Sequence, residues 1–405
     1  MVALPDGRPQ VMSPSSDPHR SASSVSRRHD RRAAAPPPPR PEDPLLTEAR
    51  RALTLCNVCA YCTGYCETFR SARRCPSLHD VDLYYLAVLC HNCRSCWYAC
   101  QYAPPHVFAI NIPALMARVR QRAYRVYAFP PGACGTRDGQ GGVMAVLIAL
   151  LCVVGVPLMT WISVPPEILY ETHQGPGAFY RIIPLDKMTA LGVTALAFGT
   201  LPLLASALRF WRAIGGRVRG PRLKALPVAV VEAFTLPSLK GGGPGCPDHD
   251  ATASGSRRRL HQILVAGVGL CLLSTASASA FHHLFGWVAP YHWFSLPVVS
   301  GTAGGVLILV GALGLLWRKK GADPRPTALE TLRDDTAFLG LLIAVAGSGL
   351  ALLLARETGA MGLLLAFHLG SVVGLFLTLA LGKFRHAPFR LAALLRSVLE
   401  RRHER

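Results

Sequence analysis

Acidic side chains are scarce in this chain, and long stretches carry no charge of either sign. Of 405 residues, 23 are Asp or Glu, 43 are Lys or Arg, and charged residues make up 16%, against about 25% in soluble domains. The shortage is concentrated from Val143 onward. Six runs there, roughly 143–164, 188–208, 262–281, 293–317, 336–355 and 358–382, contain no Asp, Glu, Lys or Arg, which excludes an ordinary soluble enzyme. The lack of acids within the runs also argues against a transporter, whose midplane sites need carboxylates. No apolar secretory segment opens the chain. The first 44 residues hold 10 of the 32 prolines and seven arginines, so 1–44 reads as a disordered Pro/Arg-rich cytoplasmic tail. No flavin fingerprint, nucleophile elbow or acid/base pair stands out in the soluble part, so no catalytic residue is assigned. The net charge of +20 has no basic, aromatic-interleaved stripe to go with it, which excludes nucleic acid and leaves membrane lipid as the surface the basic residues face.

Each uncharged run is long enough to cross about 30 Å of hydrocarbon as a helix, and backbone groups in lipid must bond internally. The sequence therefore predicts an α-helical membrane protein with a six-helix transmembrane bundle. If the cysteine-rich segment is cytoplasmic, the connections 209–260, 318–335 and 383–405 carry 10, 5 and 7 Lys and Arg. Those on the other side, 165–187, 282–292 and 356–357, carry 2, 0 and 1. This 22-to-3 bias fixes a multi-pass protein of the inner (cytoplasmic) membrane with both termini cytoplasmic. Gly241–Gly245 lies in the first of these connections and reads as a flexible linker. Gly301 and Gly305, a G-x-x-x-G step, predict close helix packing.

Eight of the 13 cysteines fall in two copies of one spacing, C-x2-C-x2-C-x3-C. The first copy is Cys56, Cys59, Cys62 and Cys66; the second is Cys90, Cys93, Cys96 and Cys100. This is the run of two-cluster bacterial ferredoxins, in which the fourth thiolate serves the other cluster. A tight loop wraps three sulfurs round one cluster, and a helical turn carries the fourth away. Crossed ligation gives Cys56, Cys59, Cys62 and Cys100 to one 4Fe-4S cluster, and Cys90, Cys93, Cys96 and Cys66 to a second. Residues 45–130 are thus expected to form a ferredoxin-like 4Fe-4S domain. Glu67 and Gln101 stand where ferredoxins usually have proline. Paired zinc knuckles in a membrane anchor without redox chemistry are the bland alternative, but zinc needs only four thiolates per site and does not call for this duplicate. Cys152 and Cys271 read as small core residues, and Cys75, Cys134 and Cys246 as isolated.

Imidazole at membrane depth is costly and functional. His368 lies inside the sixth run, and His386 follows 18 residues later. On one continuous helix that is five turns, which puts both rings on one face about 27 Å apart and suits two b haems within a domain spanning 143–386. His261 opens the third run and His282-His283 close it. Antiparallel pairing joins His261 with His386, and His283, or alternatively His282, with His368. His292 reads as interfacial. Residues 387–405 are left as a basic cytoplasmic tail.

Taken together, Leu89-Cys90-His91-Asn92-Cys93, Ala99-Cys100-Gln101-Tyr102-Ala103-Pro104-Pro105-His106, Phe281-His282-His283-Leu284-Phe285-Gly286-Trp287, Ala289-Pro290-Tyr291 and Gly382-Lys383-Phe384-Arg385-His386 resemble the tricarballylate utilization protein B family over roughly residues 50–400. The resemblance implies an iron–sulfur and b-haem membrane electron-transfer protein. It would reoxidise a separate FAD-containing dehydrogenase, acting on tricarballylate, and would pass electrons to the quinone pool. A related module is fused to a flavoprotein in cobalamin biosynthesis, so a corrinoid-modifying flavoprotein is the alternative partner. The chain is then a redox component rather than a stand-alone catalyst.

Overall fold

The computed structural model describes residues 43–135, 138, 140–215, 222–243, 245–247 and 250–403. The tail expected over 1–44 lies outside the described residues apart from its last two positions, as does Pro244 in the glycine run. Helices dominate, and among the described residues the one sheet is a two-residue antiparallel pairing of Cys246–Pro247 with Ala253–Ser254.

The cysteine-rich segment is a set of short helices: α1 (Pro44–Cys59), α2 (Glu67–Arg73), α3 (Asp80–Leu89), α4 (Ser95–Tyr98) and α5 (Ile112–Val126). Asp43 caps α1 by accepting from the Leu45 N–H at 3.0 Å, with Pro44 in the first turn, where a missing N–H costs nothing. Asn111 caps α5 in the same way through the Ala114 N–H at 3.2 Å. The membrane-facing part follows: α6 (Gln140–Ser163), the short α7 (Pro166–Leu169) and α8 (Ala178–Ile182), then α9 (Leu185–Gly215), α10 (Arg222–Thr235), α11 (Ser256–Phe285), α12 (Leu296–Lys320), α13 (Leu329–Leu354), α14 (Met361–Leu377) and α15 (His386–His403).

Five of these helices, α6, α9, α11, α12 and the Thr331–Leu354 part of α13, are long and apolar enough to cross a membrane; α14, at 17 residues, is a shorter apolar helix. Their outward faces are apolar, with Leu151 72%, Phe198 68% and Trp317 74% exposed. Small residues set the closest approaches. A Cβ on Gly304 of α12 would lie 2.8 Å from the Gly267 carbonyl of α11. Of the predicted G-x-x-x-G pair, Gly301 does face α11, at Ser274, but Gly305 faces Leu350 of α13. The step therefore serves two neighbours instead of one.

Two expectations need correction. The helix expected to run unbroken from His368 to His386 stops at Leu377. Thr378 Oγ1 donates back to the Gly374 carbonyl at 2.8 Å, and the Gly382 N–H closes on the Thr378 carbonyl at 2.7 Å. The chain then turns through Lys383–Arg385 and starts α15 at His386. The apolar run continues to Gly382, past the last residue of the helix, so five turns on one axis do not relate the two histidines. The C-terminal stretch is no tail either. Phe389, Ala393, Leu394, Val398 and Leu399 of α15 are buried in the same core as Leu53, Leu86 and Met116 of the cysteine-rich helices. Phe210 of α9 stacks on Phe389 with centroids 4.9 Å apart, so the C-terminal end of α9 joins that core.

Candidate cofactor sites

The cysteine loops are built on strained backbone. Ala60, Asn92 and Arg94 have φ of 56°, 54° and 69°, the left-handed region that costs a residue with a Cβ. Ala60 ends α1 just after Cys59, its N–H on the Cys56 carbonyl. Asn92 and Arg94 flank Cys93 and wind Cys90–Cys96 into a tight loop, with the Asn92 N–H 3.4 Å from Cys90 Sγ.

The thiols act on one another in two sets. Burial, then Cys62, Cys100 and Cys59, push Cys56 up to about 12. Burial, then Cys100 and Cys59, raise Cys62 to about 12. In the other set, burial followed by Cys93 and Cys90 takes Cys66 to about 12, and burial followed by Cys93, Cys90 and Cys66 raises Cys96. Influence also runs between these groups, through Cys93 on Cys62 and Cys62 on Cys96. Cys66, Cys90, Cys93 and Cys96 together line a pocket of about 390 Å³ including its open mouth. Buried, mutually repelling sulfurs are poor thiolates by themselves, and a cationic iron group is what makes such a set stable as ligands. The donors therefore fit iron–sulfur clusters. Among the described residues no group of three or more His, Cys, Asp or Glu closes tightly enough to hold a metal ion.

Several parts missed in the sequence secure these loops. Glu67, in the place of the expected proline, is 5% exposed, paired with Arg74 at 2.8 Å and bonded by Ser397 of α15 at 2.8 Å. The supposed flexible linker packs down on the second motif: Leu236, Leu239 and Cys246 form a buried cluster with Cys93, and a Cβ on Gly241 would meet Ser95 Oγ. Cys246 is thus not isolated. Its hydrogen bond with Cys93 is the main cause lowering the Cys93 thiol to about 6, against its burial. The 321–327 loop clasps the same motif, with the Tyr98 hydroxyl donating to Asp323 at 2.9 Å and Arg94 to Thr327 at 2.9 Å.

Of the histidines, the structure brings together His261 and His386, whose ring centroids are 6.3 Å apart at 75°. Two imidazoles on opposite sides of one iron, with metal–nitrogen bonds of about 2.0 Å and ring radii of about 1.2 Å, hold their centroids roughly 6.4 Å apart. His386 Nδ1 donates to the Lys383 carbonyl at 2.5 Å, which leaves Nε2 for a ligand. The pair fits a bis-histidine haem. His368 is bonded through Nδ1 to Ser348 of α13 at 3.0 Å. His283 is stacked edge-on to His282 at 5.0 Å, and His282 to Tyr180 at 6.3 Å. No ring contact joins either of them to His368 among the described residues. His91 belongs to the second cysteine loop and lies within electrostatic reach of His261. Its Nδ1 sits 3.0 Å from the Leu89 carbonyl, its Nε2 is buried with no hydrogen-bond partner, and burial followed by Arg390 holds it well below the usual imidazole range.

Comparison with known proteins follows this division. Residues 139–405 match the model of the family described as Citrate utilization protein B, and residues 49–126 that of the Citrate utilization protein B Fer4-like domain. A curated relative, Citrate utilization protein B of Escherichia coli, is 40% identical over 358 residues, covering 88% of this chain and 92% of that protein. No solved structure matches.

Proposed function

We propose, because this chain belongs to the citrate utilization protein B family, that it is a membrane electron carrier serving the oxidation of citrate- or tricarballylate-type tricarboxylates. In this reading a separate cytoplasmic flavoprotein dehydrogenase binds the substrate, and this chain takes electrons from its reduced FAD and delivers them to the quinone pool. Cys56, Cys59, Cys62 and Cys100 hold one 4Fe-4S cluster, and Cys66, Cys90, Cys93 and Cys96 the other. His261 with His386 hold one haem b; His368 with His283 or His282 hold a second toward the far side. Clusters and haems of this kind supply one-electron carriers between a two-electron flavin and a quinone. In this reading helix α14 is the sixth span, reaching the cytoplasmic side through the turn before His386, and the 22-to-3 bias in Lys and Arg supports cytoplasmic termini.

One observation carries the reading most: Cys66 of the first motif and Cys90, Cys93 and Cys96 of the second line a single pocket, and the Cys90–Cys96 loop is held by arginines on the helices bearing His261 and His386. The test is rapid mixing of reduced flavoprotein with the purified chain. Haem reduction should be fast in the wild type and abolished in Cys59→Ser or Cys93→Ser. Equal haem reduction in those variants would reverse the order of carriers.

A further inference from the structure

Helix α10, in the connection between α9 and α11, has two unlike sides. Ala225 and Ala229, both fully buried, press one side into the core that α15 also enters. There Glu232 pairs with Arg401 at 2.6 Å, and Arg402 donates to the Lys224 carbonyl at 3.1 Å. At about 100° per residue, Leu223, Leu226, Pro227, Val230, Val231 and Phe234 share the other side, within an arc of roughly 140° that contains no charged residue. This side is open: Leu223 is 85%, Val231 58% and Phe234 62% exposed. A contiguous apolar face of this kind marks a surface that something covers.

The place of α10 in the fold decides what covers it. At one end Arg222 stands over the Trp211 ring, 5.6 Å from its centroid, near the C-terminus of α9. At the other end Arg258 and Gln262, in the first two turns of α11, donate to the Thr235 and Phe234 carbonyls at 2.8 and 3.3 Å. Both α9 and α11 are long and apolar enough to cross a membrane, and the exposed Leu204 and Leu208 carry the apolar surface of α9 toward this end. Helix α10, about 21 Å long at 1.5 Å per residue, is too short to cross about 30 Å of hydrocarbon. It lies at the ends of the two longer helices instead.

We propose that α10 is an interfacial helix whose apolar arc is sunk about 5–10 Å into the lipid at the cysteine-rich end of the molecule. This rests on reading α9 and α11 as membrane spans. Arg222 and Lys224 flank the arc on its two edges, which suits anionic headgroups above an acyl layer. A flavoprotein that comes and goes would leave the arc in water between encounters, whereas lipid covers it at all times. Leu236 and Leu239, next along the chain, pack with Cys93, so a lipid-held α10 also fixes the height of that cysteine loop over the membrane.

The test uses the full-length protein in nanodiscs of phosphatidylglycerol and phosphatidylethanolamine. A para-trifluoromethylphenylalanine is placed in turn at Phe234, at Phe198 in α9 and at Phe108 in the cysteine-rich segment. Fluorine relaxation is measured with acyl-chain spin-labelled lipid and with a water-soluble gadolinium chelate. At Phe234 the lipid label should outweigh the chelate several-fold, as at Phe198 and opposite to Phe108. A chelate effect that outweighs the lipid at Phe234, while Phe198 still answers to lipid, leaves the spans standing and overturns the interfacial assignment. A response to neither reagent at Phe234 also overturns it, because a second copy or another protein then covers the arc. If Phe198 answers mainly to the chelate as well, the spanning reading itself fails.

Discussion

At the residue scale the cysteine spacing carried most of what could be read. Each C-x2-C-x2-C-x3-C run sets three thiols close in sequence with a fourth after them, and Cys66 of the first run lines one pocket with Cys90, Cys93 and Cys96 of the second. Spacing could not show how the loops are held, because Ala60, Asn92 and Arg94 are left-handed without being glycine, and Glu67 replaces the usual proline with a buried ion pair. Cys246 was equally invisible, since its neighbour Cys93 is far away in sequence. Cys59→Ser and Cys93→Ser should each remove the EPR signal of one cluster and lower iron and sulfide by about half. Loss of neither would remove these thiols from the ligand sets. His386→Ala and His368→Ala should each halve the haem content, measured by the pyridine haemochrome. Full haem in both variants would leave the histidines as interior hydrogen-bonding residues.

At the scale of elements, hydropathy located five helices long and apolar enough to cross a membrane, but it missed the ends of α9 and α11 by six or seven residues and ran α14 past Leu377. A run of apolar letters does not record that the chain leaves the helix after Leu377 and turns through Lys383–Arg385 before α15. The same blindness made α15 look like a tail, because its buried face is interrupted by arginines. One of them, Arg396, is 4% exposed, 3.0 Å from Asp82 of α3 and 2.7 Å from Glu400, and it lies over the Tyr85 ring at 4.0 Å. Removing one partner of such a buried pair costs about 3–5 kcal/mol. Arg396→Ala should therefore loosen α15, seen as faster proteolysis of the C-terminus and a lower unfolding temperature; unchanged stability would contradict the packing described. The 321–327 loop gives a pH effect. Hydrogen bonding to Arg325 holds the Asp323 carboxyl down at about 2. A depressed carboxylate contributes its stabilisation above its unfolded value near 3.8 and loses it as pH falls toward 2. Asp323→Asn should remove that part of the acid sensitivity of the cluster absorbance, and an identical acid profile would contradict it.

At the scale of the whole molecule, α1, α3, α5, the end of α9, α10 and α15 share one core, and the orientation proposed from the basic connections puts that core on the cytoplasmic side. Reporter fusions after Arg222 and after Arg405 should behave as cytoplasmic and one near Gln174 as external; an external C-terminus would refute the orientation. The same face, rich in Lys and Arg, should give a flavoprotein encounter rate that falls with salt. The packing of α15 into the core of the cysteine-rich helices was not legible, because it depends on contacts across some 300 residues such as Arg390 with Cys90. The most direct test of the central claim is purification without oxygen, followed by visible and EPR spectra with iron, labile sulfide, zinc and haem analysis. The account predicts about eight iron and eight sulfide ions in clusters, two b haems and no zinc per chain. A colourless protein with stoichiometric zinc and no labile sulfide would contradict it.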